Sequence, residues 1–182
     1  MFAMDTTITI LHDKITALND VQAFEECYRK YFVRLYRFCF SIVHQKQPAE
    51  DIVHDVFMQL WKKREESSSI RNLEVYLYVS VKNLSLNHLR NTSHRIVDIA
   101  ERSHEYIQFN ADPETLLIHS EAVKKMNAAI RNLPPRCKLI FKLIKEDGLK
   151  YKDVATLLDL SIKTVEGQLA IAMRKLVQAM ED

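Results

Sequence analysis

The stretch YKDVATLLDLSIKTVEGQL, residues 151–169, decides the fold of the C-terminal half. Val154, Leu158, Leu160, Val165 and Leu169 repeat at helical spacings and predict two short helices sharing one apolar seam. Ala155 stands where the helices approach, and a larger side chain there would push them apart. Asp159 fills a turn position usually taken by Gly, and Asp tolerates left-handed geometry better than most residues. Ser161 is placed to cap the second helix through a free backbone N–H. Such a helix-turn-helix presents its second helix to the DNA major groove, where residues near its N-terminus reach base edges. Those residues are Lys163, Thr164, Gly167 and Gln168, with Arg174 and Lys175 further along for phosphates. Glu166 works against them locally, because it repels phosphate.

Working outward, Leu133-Pro134-Pro135 breaks the chain sharply before the motif. A helix over about 136–146 and a turn at Asp147-Gly148 follow, and a last helix runs over about 162–179. Ahead of the break, another helix spans about 114–132, which completes a domain over 114–180. Residues 96–113 lose periodicity, turn acidic through Asp98, Glu101, Glu105 and Asp112, and end at Pro113. They are expected to form a flexible linker.

The N-terminal half carries its own core. Val21, Phe24, Tyr28, Tyr31, Phe32, Leu35, Tyr36, Phe38, Cys39, Ile42 and Val43 form one wide apolar stripe on a long helix. Pro48 opens a second helix. Its Ala49, Ile52, Val53, Val56, Phe57, Leu60 and Trp61 face inward, opposite a strongly polar surface. A third helix, about 72–91, contains Tyr76 and Tyr78. No acidic residue occurs between Val75 and Val97, a local positive patch hidden within a net charge of +2. A first domain over 21–95 results. Residues 1–20 are mixed and weakly patterned and are expected to form a flexible or loosely docked lead.

Two Gly and four Pro among 182 residues leave little for sheet turns or phosphate-cradling loops, so the fold class is all-α, two small helical domains joined by a flexible linker. The three cysteines are odd in number and lack metal-ligand spacing, so they read as buried thiols in a reducing cytosol. No nucleophile–base arrangement, phosphate loop or metal cluster is present, which argues against an enzyme and against a cofactor. No apolar run reaches membrane length and no signal peptide opens the chain, so a cytoplasmic protein without membrane insertion is expected.

Three blocks carry a resemblance. The first is AEDIVHDVFMQLW, residues 49–61. The second is Tyr76-Leu77-Tyr78 with Lys82-Asn83-Leu84 and Asn87. The third is Leu133-Pro134, then Gly148-Leu149-Lys150-Tyr151 and the helix-turn-helix. Together they resemble the sigma-70 family, specifically its compact extracytoplasmic-function (ECF) group, over about 21–95 and 114–178.

The resemblance implies a transcription initiation factor that binds core RNA polymerase and directs it to promoter DNA. It implies a region 2-like bundle and a region 4-like helix-turn-helix domain. Asp51, His54, Asp55, Gln59, Trp61 and Lys62 would dock on the coiled coil of the β′ subunit. Tyr76, Tyr78, Lys82, Asn83, Asn87, Arg90, Asn91 and Arg95 would melt and read the −10 element, where aromatic rings stack on unpaired bases. Lys163, Thr164, Gly167, Gln168, Arg174 and Lys175 would read the −35 element, and the same domain would contact the β flap. An anti-sigma factor is an expected further partner. A response-regulator or quorum-type regulator would share the helix-turn-helix. It would also need a receiver or ligand domain ahead of it, and residues 21–95 show no strand–helix alternation.

Overall fold

The computed structural model describes residues 6–93 and 121–181. The expected linker at 96–113, the residues just after it, and Arg95 lie outside the described residues. The chain divides into two compact units, Met1–Ser103 and His104–Asp182, and among the described residues all regular structure is helical.

In the first unit, α1 (Thr6–Leu18) precedes α2 (Val21–Val43), α3 (Lys46–Lys62) and α4 (Leu73–Ser93). The boundaries have local causes. Asp20 accepts hydrogen bonds from the backbone N–H groups of Gln22 and Ala23 at 2.9 and 3.0 Å, a cap worth about 1 kcal/mol. His44 adopts φ 56° and ends α2, with its N–H bonded to the Phe40 carbonyl. Asn72 caps α4 by accepting from the Val75 N–H at 3.2 Å. A short 3-10 turn at Glu66–Ser69 joins α3 to α4.

Helix α2 is the spine of this unit, packed by α1, α3 and α4. The core holds Tyr31, Leu35, Val53, Val56, Phe57, Leu60, Leu77 and Tyr78, all essentially without solvent exposure. Burying each of the large side chains contributes roughly 1.5–3 kcal/mol.

Residues 1–20 depart from the expected loose lead. Ile8, Leu11 and Ile15 of α1 are buried, Ile15 completely, and His12 is buried beside them. The apolar positions step by three and four, a helical face that is easy to overlook because Thr and Asp interleave it. Arg64 ties the end of α1 to α3, donating to the Asn19 side chain and to the Trp61 carbonyl, the latter at 2.8 Å.

In the second unit, α5 (Glu121–Arg131), α6 (Pro135–Phe141), α7 (Tyr151–Leu158) and α8 (Ile162–Glu181) enclose a smaller core. Pro135 stands in the first turn of α6, where its missing N–H costs nothing. After Phe141 the chain widens into a five-residue turn, Lys142–Glu146, with the Asp147 N–H bonded to the Lys142 carbonyl. Gly148, at φ 82°, then reverses the chain in a region that disfavours side chains.

Leu133, Cys137, Ile140, Leu143, Val154, Ala155, Leu157, Val165, Leu169, Ala172 and Leu176 are buried. Leu157 fills the seam completely, whereas Leu158 and Leu160, expected there, are only half-buried. With Val154 and Ala155 already inward, Leu157 completes the i, i+3 series and rotates Leu158 to the rim. Among the described residues no helix is long and apolar enough to cross a membrane.

Candidate nucleic-acid interface

Three exposed faces emerge, two on the first unit and one on the second. The first runs along α3. Asp51, His54, Asp55, Gln59 and Lys62 are all exposed. Asp51 accepts from the Gln47 amide at 2.9 Å, one turn earlier. His54 Nε2 lies 2.8 Å from the Tyr28 hydroxyl, and its ring packs on Phe32 at 5.3 Å. This imidazole is therefore held in place from α2. Trp61 is different. It is half-buried, packed on Phe24 at 5.0 Å and covered by the Arg64 guanidinium at 4.6 Å. Met58, 48% exposed, sits in the middle of the acidic face, and the reading of the residues passed over it. The spacing Asp51, Asp55, Met58, Lys62 would have found it.

The second face runs along α4. Tyr76, Asn83, Asn87 and Arg90 follow each other by seven, four and three residues, so they share one stripe. Asn83, Asn87, Arg90 and Asn91 are exposed, and Tyr76 is half-buried. Lys82 is half-buried beside the stripe.

Tyr78 has to be withdrawn from this set. It is 0% exposed and packs edge-on against Phe38 at 5.3 Å. Two tyrosines two residues apart lie roughly 200° around a helix from each other. With Leu77, Val81 and Ser85 turned into the core, Tyr78 must follow them and Tyr76 must not. Ser85 is also buried, 3.1 Å from the Cys39 thiol, and donates to the Val81 carbonyl.

The third face belongs to α8. The Thr164 N–H donates to Ser161 Oγ at 3.0 Å, so the cap forms as expected. Asp159 takes φ 54° at the turn between α7 and α8. Lys163, Gly167, Arg174 and Lys175 are exposed. Thr164 and Gln168 are half-buried and engaged within the unit. Thr164 Oγ1 lies 2.8 Å from the Ser161 hydroxyl, and Gln168 Oε1 accepts from Cys137 Sγ at 3.1 Å. A Cβ added at Gly167 would meet nothing within 4 Å. No neighbour inside the unit therefore requires glycine there.

The cysteines are all buried. Burial pushes the Cys27 thiol up to about 12 and the Cys39 thiol up to about 11, and raises Cys137 as well. Thiols so shifted stay protonated and react poorly. Among the described residues no group of three His, Cys, Asp or Glu is gathered as a metal ion would need.

Comparison with known proteins adds the following. The family model for Sigma-70 region 2 matches residues 27–95, and that for Sigma-70, region 4 matches residues 124–176. The RNA polymerase sigma-H factor of Pseudomonas aeruginosa is 22% identical over 170 residues, 89% of this chain and 88% of that protein. The ECF RNA polymerase sigma factor SigW of Bacillus subtilis is 22% identical over 171 residues, 90% of this chain and 91% of that protein. Two solved structures share the fold. CnrH, in complex with the cytosolic domain of CnrY, has a TM-score of 0.56 at 17% identity, covering 96% of this chain and 97% of that one. The sigma factor RpoE of Bartonella quintana, in complex with the anti-sigma factor NepR, has a TM-score of 0.55 at 20% identity, covering 88% and 98%.

Proposed function

Because the chain belongs to the sigma-70 family and is a sigma factor of the ECF type, we propose a division of labour among its three exposed faces. The α3 face docks on the β′ coiled coil of core RNA polymerase. The α4 stripe melts and reads the −10 element. The N-terminal half of α8 reads the −35 element. The observation that carries this reading is the order of the two family matches, each enclosing a unit that presents polar helical faces outside its own core.

The chemistry of each face suits its role. Asp51 and Asp55 carry charge without a buried partner, flank Met58, and stand beside a fixed His54. A charged surface of this kind speeds encounter and fixes register on a complementary one. Tyr76 offers a stacking surface for an unpaired base, worth about 1–3 kcal/mol, with Arg90 for the backbone and Asn87 for a base edge. On α8, Lys163 is free to reach into a groove. Gly167 costs helix stability of about 1 kcal/mol relative to Ala without easing any internal contact, as suits a backbone that DNA approaches closely. Trp61, engaged by Phe24 and Arg64, supports the α3 face from beneath.

We assign the chain no enzymatic activity of its own; polymerase performs the synthesis. A cytoplasmic location follows from that partner. RpoE, a neighbour of the same fold, was captured with the anti-sigma factor NepR, and an anti-sigma factor is the corresponding partner here. Run-off transcription with core polymerase and promoter fragments tests the function. Promoter-specific transcripts that require this chain are expected, and core polymerase that neither binds the chain nor changes its template choice overturns the reading.

A further inference from the structure

Near the start of α2, Phe24, Tyr28 and Phe32 stand four residues apart and share one stripe along the seam with α3. Phe24 packs on Trp61 at 5.0 Å. Tyr28 and Phe32, both half-buried, close on His54 instead, with ring centroids 6.0 and 5.3 Å from the imidazole. The Tyr28 hydroxyl lies 2.8 Å from His54 Nε2. Tyr28 is itself wedged between Phe32 at 5.0 Å and Phe57 at 4.8 Å. Phe57 belongs to the core, so the core sets where this hydroxyl stands. An exposed side chain ordinarily samples several rotamers, and stilling it on association costs affinity. His54 is exposed, yet its ring is already held.

The same contact sorts the two ring nitrogens. Partial burial, and after it the Glu50 carboxylate, raise the Tyr28 pKa, so the phenol keeps its proton. A phenol O–H is a stronger acid than a neutral imidazole N–H, and the better bond has Tyr28 donating to a bare Nε2. The ring proton then sits on Nδ1, which becomes a donor. Asp51 and Asp55, exposed on either side in the chain, only accept when ionised. The α3 face thus sets one fixed donor among acceptors, whereas an unheld imidazole would offer either tautomer.

Resting on the α3 docking assignment above, we infer that Tyr28 is a positioning residue for polymerase binding. Its hydroxyl fixes the rotamer and tautomer of His54, which donates from Nδ1 to a carboxylate or amide oxygen on the β′ coiled coil. A surface offering a second donor at that point is disfavoured, so the pair adds specificity as well as affinity.

The test uses the full chain and core polymerase. Tyr28→Phe removes the hydroxyl but keeps the ring against Phe32 and Phe57, so the thermal midpoint should not change. Affinity for core polymerase should fall about five- to tenfold, as for one lost hydrogen bond. Added to His54→Ala, the same change should cost less than about twofold, because no ring remains to be oriented. Imidazole nitrogen NMR on isotope-labelled histidine, with His54 identified by its absence from the His54→Ala spectrum, should show Nδ1–H in wild type. Tyr28→Phe should shift it toward mixed tautomers.

Equal losses from Tyr28→Phe with and without His54 overturn the positioning role, since a merely structural hydroxyl acts independently of that ring. The same comparison decides the matter if the midpoint falls. An Nε2–H tautomer in wild type also overturns it. So does full affinity of Tyr28→Phe while Asp51→Lys with Asp55→Lys loses binding, and the docking assignment then stands. Wild-type affinity of that aspartate pair variant removes the underlying assignment instead.

Discussion

Among the described residues the first unit buries whole aromatic rings, whereas Phe141, packed on the core of the second, is only partly buried. Tyr31, Phe57 and Tyr78 lie fully inside the first, whereas the largest side chains fully buried in the second are Ile140, Leu143 and Leu157. The second unit also leaves Ile162, Ile171, Met173 and Val177 of α8 exposed. The first unit thus rests on a core of large rings, on which the two faces proposed for it are carried. The second rests on a core of aliphatic side chains, and one helix is proposed as its DNA-facing surface. A well-filled core suits the proposed handling of unpaired bases, and a presented helix suits the proposed entry into a groove.

The comparison can be broken at several points. The largest effect on binding is expected on α3, where Asp51→Lys with Asp55→Lys should weaken co-purification with core polymerase by more than about 100-fold, roughly 3 kcal/mol. The circular dichroism melt should stay unchanged, since both side chains are exposed. Full retention of binding would end the docking assignment.

Next come the two tyrosines of α4. Tyr78→Ala should cost the first unit about 3–5 kcal/mol in a urea melt, as large aromatic truncations do. Tyr76→Ala should cost far less. Combined with Asn87→Ala, it should slow open-complex formation about tenfold or more while sparing closed-complex binding. Equal effects on both steps would argue against melting.

In the second unit, Lys163→Ala should change base preference at one −35 position by about 1–3 kcal/mol. Arg174→Ala should weaken all sequences alike and reduce the salt slope by about 0.9. A smaller change, Gly167→Ala, should stabilise the second unit by about 0.5–1 kcal/mol while weakening promoter binding. Stronger promoter binding would mean that DNA does not approach that backbone.

The last difference concerns acid. Burial lowers the His12 pKa below 6.5, outweighing the opposing influence of Asp13 and the backbone at Ser67, and its Nε2 has no hydrogen-bond partner among the described residues. With the folded pKa below the unfolded one, the neutral ring's contribution is complete above pH 6.5. It is lost as pH falls through the lowered pKa, when protonation favours the undocked α1. Urea melts at pH 7.5 and 5.5 should show this acid loss in the first unit, and His12→Leu should reduce it.

Much of this was legible from residues. Val154, Val165 and Leu169 of the helix-turn-helix seam, the Ser161 cap and the α3 polar face follow from helical spacing, which fixes which side chains share a face. The inward turn of Tyr78 was harder to see, because it depends on Phe38, which belongs to another helix. The role of α1 was hidden for a similar reason: three apolar residues among Thr and Asp make a weak pattern until another helix covers them.

By itself the sequence determined the helical class, the family blocks and the order of the faces, because periodicity and capping act over a few neighbouring residues. Only the tertiary structure decided that Tyr78 faces inward while Tyr76 does not, that Leu157 and not Leu158 fills the seam, that Trp61 is held by Phe24 and Arg64, and that His12 is buried. Each of these depends on which face of a helix another element covers, and that is settled by packing between residues far apart in the chain.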